Sequence, residues 1–197
     1  MVTGLIVASA AATAGPERAE SVWQYLGPPH AIAAERFSSL AEMARASDLV
    51  LVGRLVRADP GREFGDPSID VIHYAAATVE VESVLGGSLP AHDFILELQM
   101  PGGDRAQDVV ELNHRLPSDR GLFFLRSKAV IAVRSGMSPA RQAAERDYFM
   151  PIIPRAVLFD NNGFVDIAPG ADLPDYLQAL ADERFKDVVA LVAKSIE

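Results

Sequence analysis

The chain has 197 residues, 49% of them hydrophobic and 23% charged, which are values of a chain that folds around a core. Its 27 acidic residues outnumber 18 basic ones, for a net charge of −9, and the only lysines are Lys128, Lys186 and Lys194. Binding to nucleic acid or an anionic membrane surface needs clustered cations, so neither is a suitable partner. The absence of cysteine removes disulfides, thiolate nucleophiles, thiolate metal sites and a lipidated N-terminal cysteine together.

Val2–Ala12 is an apolar run of signal-peptide length, and Ala12-Thr13-Ala14 supplies an A-x-A cleavage pattern. It is too short to span a bilayer, and no other run reads as a transmembrane segment. Residues 1–14 therefore read as a signal-peptide remnant, and the protein as exported, secreted or held at the cell envelope. No basic residue precedes Arg18, which keeps an uncleaved N-terminus and a cytoplasmic location as the alternative. Residues 15–36 carry Trp23, Tyr25 and Gly27-Pro28-Pro29 and read as an extended arm or linker, because proline breaks helices and favours extended backbone. Residues 37–197 read as a single domain.

That domain opens with a short helix in which Ser39 and Glu42 have capping-box spacing and Phe37, Leu40, Met43 and Ala44 share a side. A strand follows at Leu49–Arg57, aliphatic and β-branched with Gly53 in its interior, then a second at Tyr74–Leu85 alternating around Val79, Glu80, Val81 and Glu82 and running into Gly86-Gly87. A glycine inside a strand marks a bulge or bend. The intervening Ala58–Ile72, with Pro60-Gly61, Gly65 and Pro67, reads as a long loop, and loops of that length are often functional. Phe94–Met100 is a third strand, closed by Pro101-Gly102-Gly103, and a polar excursion over Asp104–Arg120 leads to a fourth at Gly121–Arg126, extendable by Val130–Val133. Ser138 caps a helix with Pro139 at its first position. Ala156–Phe159 and Phe164–Ile167 flank Asp160-Asn161-Asn162-Gly163, a hairpin signal. The tail is helical twice, around Tyr176, Leu177 and Leu180 and again around Val188, Val192 and Ile196. The fold class expected is α+β, mainly β, with a five- to seven-stranded antiparallel OB-like barrel, a short N-terminal helix and two C-terminal helices.

The phrases Ala46–Val56, Ala77–Gly87 and Gly121–Leu125 resemble the strands of netrin-like modules, the group that includes the tissue inhibitors of metalloproteinases, over about residues 46–126. The resemblance implies an OB-like barrel with helices packed outside it, used as a binding module. OB barrels bind across the face of strands two and three and the flanking loops. The inhibitors act through an N-terminal cysteine and disulfides; this chain has neither, so protease inhibition is not implied.

His30, His73, His92 and His114 lie far apart and lack the i,i+3 or i,i+4 pairing of metal-binding helices. Asp59, Glu63, Asp66 and Asp70 match no calcium loop and are interrupted by Arg62. No G-x-S-x-G elbow, H-E-x-x-H, phosphate loop or dinucleotide fingerprint occurs. The sequence therefore calls for no metal, cofactor or catalytic residue. Glu80 and Glu82 share a strand face, and Phe64 is an aromatic among Gly, Pro and acids, which suits an anchor for a partner. The reading is a non-catalytic binding module, monomeric or homodimeric, contacting a protein or cell-surface component through Phe64, Asp66, Tyr74, Glu80 and Glu82. The alternative is a hydrolytic enzyme whose site assembles from separate loops.

Overall fold

Two uninterrupted apolar runs, Leu49–Val52 and Leu122–Leu125, set the architecture. A strand with one solvated face alternates apolar and polar residues; one covered on both faces does not need to. Both runs are fully buried, and their side chains divide between two hydrophobic clusters according to parity. Leu49, Leu51, Phe123 and Leu125 join Leu96, Leu98, Phe149, Val157 and Phe159 in one. Val50, Val52, Leu122 and Phe124 face the other way, onto Leu40, Met43, Leu177, Phe185, Val188 and Val192 of the helices.

The computed structural model describes residues 36–66, 70–91, 93–100, 105–116, 120–154, 156–168 and 173–197. The expectations for the signal-like segment, for the arm with Trp23 and Tyr25, and for His30 and His92 fall outside these residues. Among them the chain runs α1 (Leu40–Ala46), β1 (Leu49–Asp66), β2 (Asp70–Gly87), β3 (Ile95–Gln99), α2 (Arg105–Arg115), β4 (Gly121–Ser127), α3 (Lys128–Arg134), α4 (Pro139–Ala144), β5 (Tyr148–Pro151), β6 (Val157–Asn161), β7 (Phe164–Asp166), α5 (Asp175–Gln178) and α6 (Phe185–Ile196). This is an α+β fold, mainly β, with seven strands in one mixed sheet. No described helix is long and apolar enough to cross a membrane.

The pairings β1–β2, β2–β3, β3–β5, β5–β4 and β4–β1 return to their starting strand, and β6 and β7 extend the sheet from β4. One pairing, β3 with β5, is parallel, which corrects the all-antiparallel expectation. The reason is that β5, a segment for which the sequence suggests no element, enters between β3 and β4 after the chain has crossed through α3 and α4. Val130–Val133 belongs to α3 and does not prolong β4: the chain turns at Ser127, whose N–H donates to the Asp48 carboxylate at 2.9 Å. The polar excursion is largely α2, which buries Val109 and Leu112.

The largest departure is Ala58–Ile72. It is no loop, because β1 continues to Asp66 and β2 begins at Asp70, making one hairpin of two 18-residue strands. Proline and glycine at Pro60 and Gly61 suggest a break, yet an edge strand tolerates proline because the lost N–H faces away from its partner. The outer edge of β1 is met by α2: Asn113 accepts from the Ala58 N–H at 2.9 Å and donates to the Ala58 carbonyl at 2.6 Å. A single amide side chain thereby replaces the neighbouring strand that β1 lacks once it has left β4 at Gly53.

Gly53 sits where the β1–β2 register slips, and a Cβ there would come within 2.5 Å of the Glu80 carbonyl oxygen. A third slip, between Leu55 and Arg57, leaves Val56 without a cross-strand partner and half exposed. The hairpin at Asn162-Gly163 has positive φ at both residues, 55° and 86°, as a two-residue turn matched to strand twist requires. Asp160 Oδ1 accepts the Gly163 N–H at 2.7 Å and closes it. Ser39 accepts the Glu42 N–H at 3.1 Å, while Glu42 reaches back to Ser38 and not to Ser39. These hydrogen bonds hold the exposed Glu42 carboxyl below its ordinary value.

Candidate binding site on the hairpin arm

The outer half of the β1–β2 hairpin gathers charged and aromatic side chains from β1, β2, β3, α3, α4 with its C-cap, and β5. Its placement begins with a bulge. Pro60 pairs with Ala75 and Glu63 with His73, so Gly61 and Arg62 together stand opposite Tyr74. An extra residue on one strand re-aims the side chains beside it. Arg62 is directed onto β3 and β5, and alternation then puts Phe64 and Tyr74 on the same face. Their rings meet edge to face at 5.6 Å. Glu63 and His73 occupy the opposite face, with Glu63 Oε1 3.3 Å from His73 Nδ1.

On β3, Leu96 and Leu98 enter the core, so Glu97 between them projects from the other face, beside Ala76 in register. That face is covered rather than solvated, and the Glu97 side chain is 0% exposed. Arg62 Nε and Nη2 donate to its two oxygens at 2.6 and 2.9 Å, and Lys128 Nζ, from the first residue of α3, also donates to it. Arg62 Nη2 reaches Glu145 after α4 at 2.8 Å, and Glu145 in turn meets Arg141 at 3.3 Å. The Arg62 guanidinium lies 3.6 Å over the Tyr148 ring of β5 and 5.2 Å from Phe64. Lys128 Nζ sits 4.7 Å from the Phe64 ring and 5.1 Å from that of Tyr74. Two cations thus rest against three aromatic faces, an attraction worth about 0.5–2 kcal/mol each.

The electrostatics follow from burial and pairing. Burial alone would push the Glu97 carboxyl up, but the hydrogen bonds and charges of Arg62 and Lys128 outweigh it and hold Glu97 below its ordinary value. Burial opposes the charge of Arg62, and its bonds to Glu97 and Glu145 more than reverse that, raising its affinity for the proton. Burial and the nearby Glu97 charge raise the Tyr74 hydroxyl, with Arg62 partly offsetting them. Glu97 is therefore a fixed anion and Tyr74 a neutral hydrogen-bond donor. A carboxylate held this firmly ionised is a poor general base, because useful proton transfer needs a pKa near the working pH.

The structure brings Phe64 and Tyr74 together and adds Arg62, Glu97, Lys128, Glu145 and Tyr148, none of which the sequence reading singled out as a binding residue. Asp66 ends β1, paired in register with Asp70 across the hairpin. Glu80 and Glu82 lie on β2 beyond Tyr74, about 20 and 26 Å along the strand at 3.3 Å per residue. Both are exposed. Glu82 is engaged by Arg54 at 2.8 Å and lies 3.9 Å from Arg120, so it belongs to a surface ion-pair group that also includes Asp160, 3.5 Å from Arg120. Compared with protein-family models, with curated proteins and with solved structures, the chain matches none.

Proposed function

We propose that the protein is an exported, non-catalytic binding module built on an OB-like barrel, of the netrin-like kind, which contacts a protein or cell-surface component through the outer β1–β2 arm. Support for the barrel comes from the strand order. β4, β1, β2 and β3 lie side by side in a Greek-key arrangement, and β5 joins β3 to β4 to complete a five-strand cycle, the make-up of an OB barrel. The parity of the two clusters agrees, with one enclosed by the cycle and the other under α1, α5 and α6.

The observation that carries the functional reading is the preorganisation of Phe64 and Tyr74. Both rings are half-buried and held by cations that are themselves locked to a fully buried carboxylate. Rigid aromatics contribute contact area at low entropic cost, which is what a recognition surface needs. Excising residues 61–68 would be a poor test, because it also removes Arg62 and strips Glu97 of a partner. The test is capture of the tagged chain from lysate and medium of its own host, comparing the wild type with Phe64→Ser and, as a distant control on α6, Lys186→Gln. The expected result is a stoichiometric protein partner in the exported fraction with wild type and Lys186→Gln, lost with Phe64→Ser while circular dichroism stays native. Equal recovery with Phe64→Ser, or no partner in either fraction, overturns it.

A further inference from the structure

We infer that the arm site takes a carboxylate of an acidic peptide segment, held between Arg62 and Lys128 and flanked by the rings of Phe64, Tyr74 and Tyr148. The inference rests on the binding-module reading and names the chemistry of the partner.

Three observations carry it. First, the donors exceed the acceptors. Arg62 uses Nε and Nη2 on Glu97 and Glu145, and Lys128 Nζ serves Glu97 alone. Among the described residues, Arg62 Nη1 and the hydroxyls of Tyr74 and Tyr148 bond no protein group. Second, the charge is unbalanced. The ion-paired cluster holds three cations, Arg62, Lys128 and Arg141, against the two carboxylates Glu97 and Glu145, a surplus of one on a chain whose total is −9. One surplus charge suits a single carboxylate. A phosphate dianion would leave excess negative charge beside a buried glutamate, where it is least screened. Third, the aromatic faces surround the cations, so a carboxylate arriving there is followed by apolar chain contact, which a free inorganic anion does not offer. Carboxylates already bind these cations in this geometry: Glu97 takes the Arg62 fork through both oxygens, the arrangement that gives Arg its selectivity for planar anions.

The test is a titration of the full chain, followed by amide nuclear magnetic resonance, with three blocked peptides that differ at one position: glutamate, glutamine and phosphoserine between leucines. The glutamate peptide is expected to shift residues around Arg62, Phe64, Lys128 and Tyr148 and to bind about tenfold more tightly than the glutamine peptide, the value of one charge-assisted hydrogen bond. Arg141→Gln, an exposed position that lowers the surplus charge without uncovering Glu97, is expected to weaken it by about threefold, as screened surface charges do. Tyr148→Phe, which keeps the ring under Arg62 and removes one of the unused donors, is expected to weaken it by a similar factor. Equal affinity for the glutamate and glutamine peptides, shifts elsewhere on the chain, or tighter binding of phosphoserine than glutamate each overturn the inference. Its failure is separable from that of the module reading. Partner capture through Phe64 without peptide discrimination refutes only the carboxylate assignment, and peptide binding without any captured partner refutes only the module.

Discussion

Replacing Glu97 by glutamine tests the arm site where it is most strongly coupled to the fold. The substitution keeps the size of the side chain and removes one charge that is 0% exposed. Arg62 and Lys128, whose side chains are 26% and 15% exposed, then face a neutral amide in a partly dry setting. Arg62 retains Glu145 at 2.8 Å; Lys128 retains no carboxylate among the described residues. Removing one partner of a buried ion pair costs about 3–5 kcal/mol, and the exposure left to both cations places the expected loss near the lower end, about 3 kcal/mol. For a domain of this size each kcal/mol moves Tm by about 2–4 °C, so a fall of roughly 6–12 °C is expected in calorimetry. The pH dependence gives a second readout. Glu97 is held below its ordinary 4.5, so its contribution is fully present above that value and is lost as pH falls through the lower, folded-state value. Denaturant melts of the wild type at falling pH should show this acid loss, and Glu97→Gln should lack its share of it. A change in stability under about 0.5 kcal/mol, or an unchanged acid limb, would refute the claim that this carboxylate anchors the arm.

Three further expectations can be checked by chemical denaturation. Asn113→Ala leaves the Ala58 N–H and carbonyl without their amide partner and should cost about 1–3 kcal/mol, the penalty for unsatisfied buried polar groups; no loss would mean that water replaces the amide at that edge. Gly53→Ala brings a methyl within 2.5 Å of the Glu80 carbonyl, and a backbone clash of that kind should cost about 1–3 kcal/mol, whereas a neutral outcome would show that the bulge yields. Glu82→Gln should change stability by less than about 1 kcal/mol, because its pairs with Arg54 and Arg120 are solvent-screened, and it should leave partner capture intact if the arm rather than this end of β2 is the contact.

The sequence by itself determined the elements whose signal is local. Leu49–Val52 and Leu122–Leu125 announce buried strands because an apolar run without alternation is stable only between two covers. Asn162-Gly163 specifies its hairpin because few residues accept positive φ twice in succession. Ser39 and Ser138 start helices because a hydroxyl can take an orphan N–H. Tertiary structure decided the rest. Glu97, flanked by Leu96 and Leu98, has the pattern of a solvent-facing residue on a half-covered strand, and only the arrival of Arg62, Lys128 and Tyr148 from 35, 31 and 51 residues away buries it. Pro60-Gly61 carries the signature of a turn, yet it becomes a bulge in a continuing strand because Asn113 of α2 satisfies the backbone edge next to it. β5 has no adjoining turn signal and ends in Pro151, so nothing local marks it as a strand, and it exists because it fills the gap between β3 and β4. In each case the deciding partner is distant in sequence, so the energy that selects the conformation cannot be read from the segment that adopts it.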